Sequence, residues 1–184
     1  MSRGPRRGVP LVVSAPSGGG KTTLCRRLMD DLGGVAFSVS YTTRAPRGRE
    51  QNGVDYHFVD ASTFQTMIDG GELLEWADVH GHRYGTGRAE TARLLDSGTD
   101  VLFDIDIQGG RQIAAKLGDA VLVFVVAPNM QELERRLRGR ASDSEEQVKR
   151  RLTAARDEIR SATFYGHWIV NDVLETAVDE LRAV

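Results

Sequence analysis

Eight consecutive residues, Ala15-Pro16-Ser17-Gly18-Gly19-Gly20-Lys21-Thr22, carry the clearest chemistry in the chain. Successive glycines let a backbone turn several N–H groups into one concavity, and such a concavity binds an anion. Lys21 adds a point charge for the outer phosphates of a nucleotide, and the Thr22 hydroxyl is a hard ligand for Mg²⁺. The flanks agree with this reading. Val9, Leu11, Val12 and Val13 form an apolar strand leading into the loop, and Leu24 and Leu28 have the spacing of a helix whose positive end faces the site. The pattern is that of a phosphate-binding loop, G-x-x-x-x-G-K-[ST], with one departure: alanine replaces the first glycine, so position 15 must tolerate a Cβ.

Three further stretches suit the same chemistry. Val101-Leu102-Phe103-Asp104-Ile105-Asp106 is an apolar strand ending in carboxylates. Downstream of a phosphate-binding loop, Asp104 or Asp106 is where a magnesium-organising oxygen belongs; the alternative is that either one caps the helix that follows. We expect the pair on alternate faces, so that only one meets the metal. The loop from Ser40 to Arg49 gathers two threonines and three arginines around Pro46, near Tyr41, Tyr56 and Tyr84, and suits a second phosphate through fork-shaped hydrogen bonds. Arg135, Arg136, Arg138 and Arg140 end one helix and Arg150 and Arg151 open the next, interleaved with Glu132, Glu134, Glu145 and Glu146. Alone these residues read as a solvated face, but beside a phosphate-binding loop they are what a lid needs to bring positive charge to a transferring phosphoryl group. His80-Gly81-His82 reads as a surface turn and not as a metal site.

The elements that must position these groups alternate between strand-like and helix-like runs, which argues for an α/β fold with a parallel sheet. After a first helix ending near Gly33-Gly34, strands are expected over Phe37–Tyr41 and Val54–Val59. A helix should start at Ser62-x-x-Gln65 and stop at Gly70-Gly71, and strands should follow over Leu73–Val79 and His82–Thr86. This stretch, about Ser38 to Arg88, looks inserted into the main sheet. Ala89–Ser97 reads as helix and Gln112–Leu117 as the continuation of another, while the continuous apolar run Val121–Val126 belongs in the sheet centre. Asn129-x-x-Glu132 and Ser142-x-x-Glu145 mark two more helix starts around a polar hinge, and Trp168-Ile169-Val170 precedes a C-terminal helix bearing Leu174, Val178 and Leu181.

At 184 residues with a net charge of −2, the chain is sized for one domain and lacks the bulk charge of a protein that coats nucleic acid or an anionic membrane. Lysine occurs only at positions 21, 116 and 149, so one lysine in three sits in the loop. The single cysteine, Cys25, excludes an intramolecular disulfide and reads as a small buried side chain in the first helix. No apolar run approaches the roughly 20 residues that span a bilayer, so a soluble, cytoplasmic protein is expected, with a frayed basic N-terminus.

In order, the segments SAPSGGGKTTL, SVSYTTRAPRGREQNGVDYHFV, LLEWADVHGHRYGT, LFDIDIQGG, RRLRGR with KRRL, and WIVND resemble the guanylate kinases over nearly the whole chain. These are nucleoside monophosphate kinases that pass the γ-phosphoryl group of ATP to GMP. The resemblance implies a three-layer P-loop fold with a parallel central sheet (core 8–37, 89–128 and 152–184), a small mixed GMP-binding insertion (38–88) and a helical lid (129–151). It implies ATP binding by Ala15, Pro16, Ser17, Gly18, Gly19, Gly20, Lys21, Thr22, Thr23 and Asn171, the last near the adenine. GMP would be held by Ser40, Arg44, Arg47, Tyr56, Glu75, Tyr84, Thr86 and Asp106, and Mg²⁺ by Thr22 and Asp104. Lys21, Arg44, Arg136, Arg140 and Arg151 would carry catalysis, with ATP and GMP the partners and neither nucleic acid nor membrane involved. A ribosyl-phosphate kinase of similar sequence would alter the base-reading residues, and a protein-binding module of this family typically lacks an intact P-loop. Ser40, Glu75 and Thr86 count against the first, and Lys21 with the complete arginine set against the second.

Overall fold

The structure, a computed structural model, describes residues 6–79, 81–139 and 144–184. In chain order, β1 (Pro10–Ser14) runs through the Gly-rich loop into α1 (Lys21–Asp31), followed by β2 (Val35–Phe37), β3 (Tyr41–Thr42) and β4 (His57–Phe58). Helix α2 (Ala61–Asp69), strands β5 (Leu73–Val79) and β6 (His82–Gly87) and helix α3 (Arg88–Asp96) come next. The chain continues through β7 (Asp100–Asp104), α4 (Ile107–Lys116), β8 (Val121–Val126), α5 (Met130–Arg138), α6 (Glu145–Ser161), β9 (His167–Val170) and α7 (Leu174–Ala183).

Five of the strands form a parallel sheet in the order β2-β7-β1-β8-β9. On one face Leu24, Cys25 and Leu28 of α1 and Ala177, Val178 and Leu181 of α7 pack on Val13, Leu102, Val123 and Ile169. On the other, Leu95 of α3 and Ile113 of α4 pack on Val12, Phe103 and Phe124 with Tyr165. Helices on both faces are what a parallel sheet requires, and the result is three layers. Val121–Val126 lies one strand from the centre, with Val123, Phe124 and Val125 fully buried. Parallel pairing places Val13 beside Asp104, so the loop after β1 and the end of β7 are neighbours.

The remaining strands form a smaller mixed sheet, β4-β3-β6-β5, in which β3 and β4 pair parallel and β6 pairs antiparallel with both neighbours. Phe64 and Met67 of α2 pack on it against Leu73. The run expected as one strand over Phe37–Tyr41 is split because the chain leaves the large sheet at Phe37 and enters the small one at Tyr41. Only His57–Phe58 of the Val54–Val59 stretch is strand, since a turn holds the residues before it: Gly53 has φ +77°, and Asn52 Oδ1 accepts from the Phe58 N–H at 2.9 Å.

Two helix starts differ from the sequence expectation. The cap of α2 is Asp60, which accepts from the Thr63 N–H at 2.7 Å, and Ser62 donates to the same carboxylate from the first turn. An aspartate cap outcompetes a serine because its charge also meets the helix dipole. At α6 the capping box is Ser144 with Gln147; the Ser142 start expected there lies outside the described residues. Asn129 caps α5 as its spacing predicts, accepting from the Glu132 N–H at 2.8 Å. Arg6 and Arg7, expected to fray, pair instead with Asp100 and with Asp96 and Asp119. Among the described residues, no helix is long and apolar enough to cross a membrane.

Candidate active site

The loop between β1 and α1 has the backbone of an anion cradle. Gly18 and Gly20 hold φ +89° and +90°, in the left-handed region where a Cβ is strained. Gly19 has no room for a side chain because its Cβ would lie 2.9 Å from that of Ala15. The same contact explains why Ala15 is tolerated: its methyl occupies space that Gly19 leaves empty. The loop lines a cleft of about 430 Å³ with Lys21, Thr22, Thr23, Asp78, Asp106, Gln108 and Glu158.

Lys21 lies at the start of α1 with Nζ 2.7 Å from Asp104 Oδ1 and donating to the Ile105 carbonyl at 2.8 Å. Burial opposes its ammonium, but Asp104 more than offsets this and holds the lysine above its ordinary pKa. Thr22 Oγ1 donates to Asp104 Oδ2 at 3.2 Å. A hydroxyl and a carboxylate at this separation are two hard oxygens on one spot, a donor set that fits Mg²⁺. Asp106 serves a different end: as the cap of α4 it accepts from the Gly109 N–H at 2.8 Å and from Gln108 Nε2 at 3.1 Å. The division does not come from strand alternation, which would put residues two apart on one face. It comes from the strand ending at Asp104, so that Asp106 already belongs to the helix start.

On the smaller sheet, Arg44 is 6% exposed and its guanidinium is nearly saturated. Nη1 and Nη2 donate to the two Glu50 oxygens at 2.9 Å each, Nη1 also to the Ala45 carbonyl at 2.8 Å, and Nε to Tyr84 Oη at 3.1 Å. Of its five N–H groups, one is left for a ligand. Glu50, through these bonds, raises the arginine further above its ordinary pKa and is itself lowered. Tyr56 stands edge-on to Tyr84 and beneath the Arg44 cation. Arg47 is exposed, and its N–H caps Glu50 at 2.7 Å. Ser40, Glu50, Tyr56, Asp104 and Thr22 line a second cleft of about 560 Å³. The two clefts thus meet at Thr22.

Glu75 and Thr86, on paired strands β5 and β6, are 3% and 1% exposed, and the Thr86 hydroxyl donates to Glu75 Oε1 at 2.7 Å. Burial pushes the Glu75 carboxyl up to about 7, the Thr86 bond pulling against it and Asp106 adding to it. Helical glycines are otherwise unfavourable, but Gly109 makes room here: a Cβ on it would come within 2.5 Å of Glu75 Oε2.

Helices α5 and α6 reach the loop from the far side. Arg151 Nε donates to Ser17 Oγ at 3.0 Å. Arg136 donates to Glu132 at 2.7 Å and to the Asn171 carbonyl at 2.8 Å. Asn171, expected near the adenine, is buried and its Nδ2 donates to the Gly19 carbonyl at 3.0 Å, so its amide braces the loop from behind. Arg140 lies outside the described residues, as does His80.

Two residues at the site escaped the sequence reading. Glu50 follows directly on the basic loop and neutralises it; a cluster of arginines should have prompted a search for its counter-charge. Glu158 is seven residues after Arg151, on the same face of α6, and its carboxyl is pushed up by burial beside Asp106 against the pull of Lys21 and the Ser17 N–H.

A parallel sheet with a Gly-rich loop after its central strand, a lysine opening the next helix and a carboxylate on the neighbouring strand defines a P-loop phosphotransferase. Comparison with known proteins narrows the class. The family model for guanylate kinase matches residues 7–184. Guanylate kinase of Oleidesulfovibrio alaskensis is 53% identical over 179 residues, covering 97% of this chain and 87% of its own, and that of Myxococcus xanthus is 51% identical over 178 residues, covering 96% and 85%. A crystal structure of guanylate kinase from Anaplasma phagocytophilum superposes with a TM-score of 0.79 at 34% identity, over 96% of this chain and 84% of that one. Shikimate kinase from Bacteroides thetaiotaomicron, 15% identical with a TM-score of 0.51 over 95% and 96%, shares the fold alone. The chain belongs to the guanylate kinase family.

Proposed function

We propose that the chain catalyses the reversible, Mg²⁺-dependent transfer of the ATP γ-phosphoryl group to GMP or dGMP, as a cytoplasmic step of purine nucleotide metabolism. The observation that carries this reading is the junction of the two clefts at Thr22, next to Lys21 and Asp104. A donor phosphate on the glycine loop and an acceptor phosphate beneath Arg44 and Tyr84 would face each other there. Lys21 exchanges Asp104 and the Ile105 carbonyl for the outer phosphates of ATP, which frees Asp104 for the metal. Thr22 and Asp104 would hold Mg²⁺, which when bound neutralises charge on the β- and γ-phosphates.

Arg44, Arg47, Tyr56 and Tyr84 take the GMP phosphate, whose second pKa of about 6 leaves it a dianionic nucleophile at neutral pH, so no general base is needed. Glu75 and Thr86, with Ser40 and Asp106, read the base. Guanine presents N–H donors at its Watson–Crick edge, which the Glu75 carboxylate accepts; adenine presents a ring acceptor there and would leave that buried carboxylate unpaired. Arg136, Arg140 and Arg151 stabilise the ATP phosphates as the lid (129–151) and the insertion (38–88) close on the core and exclude water.

A coupled assay with GMP, dGMP, AMP and UMP tests the reading. The expected order places GMP first with dGMP next, and preferential turnover of AMP or of a sugar phosphate overturns it.

A further inference from the structure

The strand that carries Glu75 has a free side. In the order β4-β3-β6-β5, strand β5 is terminal, and it pairs with β6 alone, Glu75 opposite Thr86. Backbone groups alternate sides along a strand, so the N–H and C=O of Trp76 point away from β6, and past the register shift between Leu73 and Glu75 the Leu74 carbonyl turns the same way; none of the three finds a strand. Unpaired edge groups of this kind need another partner.

One face of α4 supplies it. Gln112 donates from Nε2 to the Trp76 carbonyl at 2.7 Å and accepts the Trp76 N–H on Oε1 at 3.3 Å, so its amide takes the place of a peptide unit on a neighbouring strand. Lys116 Nζ donates to the Leu74 carbonyl. Gly109, a turn before Gln112, is the residue whose missing side chain leaves space for the Glu75 carboxylate. Residues 109, 112 and 116 are spaced by three and four, which puts them on one stripe of the helix. That stripe grips the chain on both sides of Glu75 through Gln112 and Lys116, and the Lys116 charge also favours the ionised Glu75 carboxylate.

We propose that Gln112, supported by Lys116, is a positioning residue that docks the edge of β5 on the core helix α4 and thereby fixes the Glu75 carboxylate where it meets the guanine. The inference rests on the reading of Glu75 as a base-reading group. Neither Gln112 nor Lys116 touches substrate in this account. Their effect falls on the acceptor base, because the glycine loop is built on the other strands of the core.

The test is steady-state kinetics on Gln112→Met, which keeps the length and loses the amide, with Lys116→Met and Glu75→Ala run beside it. In Gln112→Met we expect the KM for GMP to rise about tenfold, in keeping with the sensitivity of sites to ångström-scale misplacement, while the KM for ATP and kcat stay within about twofold. Lys116→Met should show the same split, smaller, and carries the test if Gln112→Met does not fold. Hydrogen exchange at the Trp76 N–H should be slower in the parent protein than in Gln112→Met, without a matching change across the large sheet. An unchanged KM for GMP, or KM values for GMP and ATP rising in parallel with a general loss of stability, overturns the proposal. If GMP use suffers in Glu75→Ala but not in the clasp variants, the clasp alone is wrong. If it suffers in none of them, the reading of Glu75 falls and the clasp with it.

Discussion

Lys21, half-buried, and Arg44, buried, are both cations held by a carboxylate, and the way each is held differs. Lys21 takes its place from the register of a parallel sheet: β1 delivers the loop, β7 delivers Asp104, and Val13 pairs with Asp104 across the ladder. Arg44 lies two residues past the two-residue strand β3 and is fixed by side chains, Glu50 six residues on and Tyr84 on β6. A phosphate arriving at the loop meets backbone N–H groups whose positions the core sets. One arriving at Arg44 meets a guanidinium already bound to Glu50, with Tyr84 and Tyr56 around it. On the proposed reading, the donor side would therefore be a backbone site on the large sheet, and the acceptor side a side-chain site on short strands that helix α4 holds at the β5 edge.

Removing Lys21 probes the donor side hardest. Lys21→Ala keeps the loop backbone and strands the Asp104 carboxylate, so turnover should fall about a thousandfold or more with the fold retained. Steady-state kinetics with circular dichroism check this, and near-normal turnover would dissolve the contrast, because the loop would then bind phosphate without its cation. Glu75→Ala probes the acceptor side. It deletes the proposed acceptor for guanine N–H groups and leaves the Thr86 hydroxyl without its partner, so kcat/KM for GMP should drop about a hundredfold while the KM for ATP stays within about twofold. Equal damage to both substrates would show that the two sites are one unit.

That contrast also explains what was legible in the sequence. The loop from Ala15 to Thr22 is contiguous, and its chemistry is local, so strand, turn and helix start were all readable; so were the parallel sheet and the apolar run of β8. What failed were choices among near-equivalent local signals that packing decides. Asp60 and Ser62 compete to cap α2, and Ser142 and Ser144 to open α6. Asn171 sits next to the last strand in any reading, but only the fold shows its amide turned onto Gly19. Gln112 was invisible for a different reason. A glutamine in a helix carries no signal until the sheet edge it serves is in place, whereas Glu50, directly after the basic loop, was a findable counter-charge.

Proton linkage at Glu75 gives a finer cut. Its carboxyl, pushed up to about 7 by burial, is raised above the usual carboxylate value near 4.5, so between those two pH values the folded state binds a proton that the unfolded state has released. Stability of the free protein should then fall as pH rises from about 4.5 to 7 and level off above, and Glu75→Gln should lack that decline. If Glu75 reads the base as proposed, GMP should reverse the preference, because guanine N–H groups would pair with the ionised form. With its carboxyl pushed up to about 7, Glu75 is mostly protonated on the acid side of neutrality and mostly ionised on the alkaline side, so GMP affinity should rise by up to about tenfold between pH 6 and 8 beyond the change caused by the nucleotide's own phosphate, which titrates near pH 6. Glu75→Gln keeps the phosphate titration and should lose the additional rise, which separates the two groups. Calorimetry of GMP binding near pH 7, in two buffers of different ionisation enthalpy, should detect a proton released by the parent protein and a smaller release in Glu75→Gln. ATP binding, on the backbone loop and on Lys21 held above its ordinary pKa by Asp104, should show no counterpart that depends on Glu75. An equal dependence of ATP affinity on Glu75 would place the loop and the acceptor sheet under one electrostatic control.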